Sequence, residues 1–120
     1  MAQNRIIAIP VAEGKLSAHF GHAPMFFLYH IEGNKIIKEQ AEIPPKHEFG
    51  VIPNWLADTK VTDLITGGIG PKAVNILNSR NINVYTGAPV TEAKKIIQDF
   101  LNGNLETRAN LCDHGEDHHC

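Results

Sequence analysis

The sequence predicts an α/β fold: a five-stranded mixed sheet with three helices, in a single domain. Three observations predict it. The chain opens on a short, nearly continuous apolar run. A hairpin turn signal then separates two further strand-like runs. In the second half, short apolar runs alternate with stretches whose apolar residues recur at helical spacing. A length of 120 residues suits one such domain.

Residues 5–11 read Arg-Ile-Ile-Ala-Ile-Pro-Val, the pattern of a central strand covered on both faces. Pro10 has no N–H to give a ladder, so the strand is expected to loosen there. A loop with Gly, Ser and His follows and ends at Pro24. Residues 25–31 form the second strand. Gly33-Asn34 is a turn signal because both residues tolerate positive φ, and residues 35–42 return as the third strand.

Pro44-Pro45 ends that strand. Residues 53–59 read as a short helix with Pro53 in its first turn. Residues 61–66 are a strand, which Gly67-Gly68-Ile69-Gly70 turns into a helix over 71–80, with Ala73, Val74 and Leu77 on one side. Residues 82–85 are the last strand. Thr91 is the expected cap of a final helix whose apolar stripe is Ala93, Ile96, Ile97, Phe100 and Leu101, and Gly103 stands at its C-terminal end. Phe26, Phe27, Tyr29 and Trp55 are expected in the core, and His30 is expected to be structural.

The first three strands make a meander, and the last two are reached by helical crossovers, so they run parallel to the first. Counted along the chain, the simplest sheet order is 3-2-1-4-5, a ribonuclease H-like architecture. Residues 1–104 form this domain. Residues 105–120 form an acidic tail rich in Cys and His, expected to be flexible without metal.

Composition narrows the function. Net charge is −2. The body is near neutral, with ten of the Lys/Arg and nine of the Asp/Glu before residue 106. No basic face is expected, which argues against nucleic acid as a partner. No apolar run is long enough to span a membrane, and the N-terminal apolar run is too short for a signal peptide. The expected setting is the cytoplasm, where Cys112 and Cys120 stay reduced.

The first, third and fourth strands share a direction, so their C-terminal ends meet at one edge of the sheet. Three loops leave it: 12–24, 43–52 and 67–71. Ligands of open α/β sheets bind at such a crevice. The first loop holds Ser17, His19, Phe20, Gly21 and His22, the second His47, and the third Gly67, Gly68 and Gly70. Glycines admit a ligand close to the backbone, and a helix N-terminus offers N–H groups to an anion. Histidines beside them suit an oxyanion or an anionic metal–sulfur cluster. The third loop matches neither the P-loop nor the dinucleotide fingerprint, and a tight turn alone would also explain its glycines.

Residues 112–120 read Cys-Asp-His-Gly-Glu-Asp-His-His-Cys. Thiolate and imidazole are ligands for Zn²⁺, and thiolate for iron–sulfur and copper(I) centres. Cys112 and His114 can pair with His118 or His119 and Cys120 around one metal, zinc among them. The spacing is tighter than in zinc fingers. The bland alternative is an acidic tail with incidental metal affinity.

Three segments carry a family resemblance: Ser17-x-His19-Phe20-Gly21-x-Ala23-x-x-Phe26, then Ile65-Thr66-Gly67-Gly68-Ile69-Gly70, then Asn81-Ile82-Asn83-Val84-Tyr85. In this order, over about residues 5–102, the chain resembles the dinitrogenase iron–molybdenum cofactor biosynthesis family. The resemblance implies a ribonuclease H-like fold and a carrier or scaffold for iron–molybdenum cofactor or another metal–sulfur cluster. It also implies cluster donor and acceptor proteins as partners, with the 17–23 loop and the 67–70 turn lining the pocket. The tail is not part of that shared core.

The expected function is therefore non-catalytic cluster binding. The alternative is a zinc- or nickel-buffering protein acting through the tail. A ribonuclease H-type nuclease is disfavoured, because its two metal ions need clustered carboxylates and the first strand, Ile6-Ile7-Ala8-Ile9, has none. No Ser/His/Asp set stands out for a hydrolase.

Overall fold

A computed structural model describes residues 4–17, 20, 23–45 and 50–105. The elements are β1 (Asn4–Ala12), β2 (Lys15–Leu16), β3 (Met25–Glu32), β4 (Lys35–Glu42), α1 (Val51–Asp58), β5 (Asp63–Ile65), α2 (Pro71–Ser79), β6 (Asn83–Tyr85) and α3 (Ala93–Leu101). They form a mixed sheet in the order β4-β3-β1-β5-β6, with β2 pairing β1 off that path. β1 is antiparallel to β3 and parallel to β5, and β6 is parallel to β5.

The apolar run of β1 is explained by its central place, since both of its faces are covered. Ile7, Ile9 and Val11 point into a core completed by Ala93, Ile96 and Ile97 of α3. Ala8 points the other way, into a core with Leu64 of β5, Ile52 and Leu56 of α1 and Leu77 of α2. Alternation along one strand thus feeds two hydrophobic layers. Phe26 and Tyr29 are almost fully buried, as expected, and Phe27 and Trp55 pack against the two cores. His30 is tied to Gln40 across the β3–β4 pair by Nε2···Oε1 at 2.5 Å.

Three expectations need correction. Pro10 does not loosen β1, which runs on to Ala12 with Pro10 opposite Phe26. Pro10 O accepts Ser17 N–H at 2.8 Å. A residue's N–H and C=O share one side of a strand, so the missing donor faces the side where pairing with β5 has already stopped at Ala8. Thr91 does not cap α3: the N-cap is Glu92, with no side-chain cap bond. Thr91 O instead accepts Leu16 N–H, and Lys15 bridges Glu92, which fastens the segment before the helix to β2. The strand expected over 61–66 is confined to Asp63–Ile65, because Val61 N–H bonds back to Leu56 O and closes α1.

The Gly33-Asn34 turn has φ of 56° and 74°, as its residues foretell. Asn34 Nδ2 donates to Leu101 O, so the β3–β4 turn and the C-terminal end of α3 lie at the same edge of the sheet. That edge is opposite the C-terminal ends of β1, β5 and β6.

Candidate functional site

The loop edge is assembled from the ends of β1, β4, β5 and β6. Ser17, just past β2, is buried and held by its bond to Pro10 O. Phe20 is 4% exposed, and its ring meets Phe26 edge-on at 5.7 Å. Its N–H donates to Gly68 O at 3.0 Å. Phe20 therefore joins the first loop to the 67–70 turn through its backbone, while its ring belongs to the core. His19, Gly21, His22 and His47 lie outside the described residues, as do Cys112, His114, His118, His119 and Cys120 of the tail. Among the described residues there is no cluster of three His, Cys, Asp or Glu placed to hold a metal ion.

The 67–70 turn differs from a strained glycine turn. Positive φ occurs at Gly14, Gly33, Gly50, Gly87 and Gly103, and not at Gly67, Gly68 or Gly70. Gly70 is the N-cap of α2 with φ −75° and ψ 155°, an extended conformation open to any residue, and no side chain caps the helix there. A Cβ on Gly70 would meet no described heavy atom within 4 Å. Neither backbone geometry nor packing requires glycine at this position. The acceptors of the turn are engaged: Gly67 O by Gly87 N–H, Gly68 O by Phe20 N–H and Gly70 O by Val74 N–H. The first turn of α2 has few N–H groups to offer a ligand, because Pro71 has none and Val74 N–H is bonded to Gly70 O.

Two features of this edge were missed in the sequence. One is the segment 86–88 after β6, where Gly87 has φ 76° and Gly87 and Ala88 bond back to Gly67 O and Thr66 O. β6 is parallel to β1, so the rule that selected the other loops also selects this one. The second is Thr66, at the end of β5. It is fully buried, and its Oγ1 has no hydrogen-bond partner among the described residues. No sequence pattern announces that.

The titratable groups displaced from their ordinary behaviour lie elsewhere. Asp63, 1% exposed, opens β5 at the far edge. Burial pushes its carboxyl up, but bonds from Arg5 Nε (3.0 Å), Asn83 Nδ2 (3.0 Å) and Thr62 Oγ1 (2.8 Å), with the Arg5 charge, outweigh burial and hold it below the usual range. The same bond to Asp63 raises Arg5 against its own partial burial, and the Arg5 guanidinium lies 5.1 Å from the Phe100 ring centroid. Tyr29 in mid-sheet is pushed up to about 12, by burial first and by Glu39 second.

Comparison with known proteins fits this architecture. An uncharacterized protein of Methanocaldococcus jannaschii is 34% identical over 105 residues, covering 83% of this chain and 88% of that one. The crystal structure of the protein PH0822 superposes with a TM-score of 0.80 at 29% identity, over 92% of this chain and 96% of that one. The apo form of the orange protein from Desulfovibrio gigas shares the fold, with a TM-score of 0.72 at 22% identity over 92% and 98% of the two chains. Residues 3–103 match the family described as dinitrogenase iron-molybdenum cofactor. The chain belongs to that family.

Proposed function

We propose that the protein binds an anionic metal–sulfur cluster of the iron–molybdenum kind at the loop edge and carries it without transforming it. The observation that carries this reading is Gly70. It is an exposed glycine at the N-terminus of α2, where neither φ nor a described neighbour demands glycine. A bulky anion seated there meets backbone and no side chain. Family membership and the likeness to a protein solved in an apo form support the same reading. The order of the main sheet supports a ribonuclease H-like description, and the acid-free β1 supports a carrier over a nuclease.

His19, His22 and His47 are the side chains proposed to ligate or hydrogen-bond the cluster. Donor and acceptor proteins for the cluster follow from a carrier's role. The rival reading, zinc or nickel held by Cys112, His114, His118, His119 and Cys120, rests on five Cys/His in the last nine residues.

Anaerobic reconstitution with iron, sulfide and molybdenum, followed by desalting and elemental analysis, separates the two. Cluster carriage predicts retained iron or molybdenum with sulfide, kept on deletion of residues 110–120 and lost on His19→Ala/His22→Ala/His47→Ala. Bare zinc or nickel that disappears with the tail establishes the rival instead.

A further inference from the structure

Thr66 is held firmly everywhere except at its hydroxyl. Its N–H donates to Tyr85 O at 2.9 Å, the last bond of the β5–β6 ladder, and its C=O accepts Ala88 N–H at 3.2 Å. α2 begins four residues later, with Gly70 as its N-cap. A buried Oγ1 with no partner stands at the strand end from which the helix departs.

Packing does not explain the hydroxyl. Valine has nearly the same shape, suits a strand better, and leaves no donor unpaired. A buried donor kept without a partner at a ligand edge calls for an acceptor supplied from outside.

We propose that Thr66 Oγ1 is a specificity-determining donor for the cluster: it hydrogen-bonds a terminal sulfur or oxygen of an anionic molybdenum–sulfur ligand seated at the start of α2. This rests on the cluster-binding reading above. The hydroxyl is closed to solvent, and the Phe20 N–H···O Gly68 contact is the described link that yields as the ligand enters.

The probe is tetrathiomolybdate, titrated anaerobically into the full chain and followed by its visible absorption, with thermal unfolding of the unliganded protein alongside. Thr66→Val should bind the probe about tenfold more weakly than wild type, the loss of one hydrogen bond to an anion, while unfolding at an equal or higher temperature. Thr66→Ser, which keeps the hydroxyl, should bind like wild type. Equal affinity of wild type and Thr66→Val overturns the role of Thr66 and leaves the cluster reading standing. A lower unfolding temperature for Thr66→Val shows that the hydroxyl serves the fold, and also overturns it. No binding by wild type overturns the cluster reading and this role with it.

Discussion

Gly70→Ala tests most directly whether the loop edge is built for a ligand. Two opposing terms set its effect on stability. Alanine removes conformational freedom from the unfolded chain, which stabilises by about 0.4–1 kcal/mol where the native φ and ψ suit it. They do suit it, at −75° and 155°. Alanine is also a poorer N-cap than glycine, at a cost of up to about 1 kcal/mol. No described atom within 4 Å adds a steric term. The two terms nearly cancel, so the net change should stay within about 0.5 kcal/mol, or about 2–4 °C in Tm for a domain of this size. Binding is another matter under the proposed reading, because the new methyl stands where the ligand is proposed to meet the backbone of Gly70. A fall in affinity for tetrathiomolybdate of tenfold or more is expected, read by anaerobic titration beside a thermal melt. A loss above 2 kcal/mol would show that glycine serves the fold. Unchanged stability together with unchanged affinity would remove Gly70 from the ligand's surroundings. Either result refutes the reasoning.

Other outcomes follow from the same structure. Asp63→Asn removes the charge that pairs with Arg5 and should cost about 2–3 kcal/mol at pH 7, below the full value for a buried pair because Arg5 is 31% exposed. Asp63 is depressed in the folded state, so its stabilisation is complete above the ordinary carboxylate pKa and fades as pH falls through the lowered folded value. Urea midpoints should therefore drop more steeply below about pH 4 for wild type than for Asp63→Asn, and parallel acid limbs would contradict this. Phe20→Ala opens a cavity beside Phe26 and should cost about 3 kcal/mol by urea unfolding. Phe20→Leu should recover most of that stability and bind the probe normally. Binding lost in Phe20→Leu at unchanged stability would show that the ring touches the ligand.

The core and the hairpin were legible because their signals are local and repeated. Ile6 to Ile9 could only suit a strand covered on both faces, and Gly33-Asn34 takes positive φ at both positions. β2 was invisible because two residues, Lys15 and Leu16, are too few to show alternation. Its turn nonetheless carries a clue in Glu13-Gly14, whose φ values are 55° and 82°. Thr91 looked like a helix cap because Thr caps helices, but its backbone is committed to Leu16. That tertiary bond has no local trace. The candidate site was half legible. Topology selects the edge, and glycines mark the 67–70 turn, although none of the three takes a positive φ. Thr66 was hidden because a sequence names its donors and not their partners.

The two edges of the sheet treat their polar groups in opposite ways, and that contrast supports the loop edge as the candidate site. At the far edge a buried carboxylate receives three hydrogen bonds, and its arginine partner also lies against an aromatic ring. Nothing is left over there for a ligand, so Asp63, the most heavily partnered acid described, belongs to stability. At the loop edge the carbonyls of Thr66, Gly67, Gly68 and Gly70 are engaged, while the buried Thr66 hydroxyl has no partner among the described residues. Leaving a buried donor unpaired costs about 1–3 kcal/mol, a sizeable part of the margin of a small domain. A valine at 66 would relieve that defect without altering the fold. The chain keeps threonine there, and under the proposed reading a ligand with hydrogen-bond acceptors on its surface supplies the missing partner.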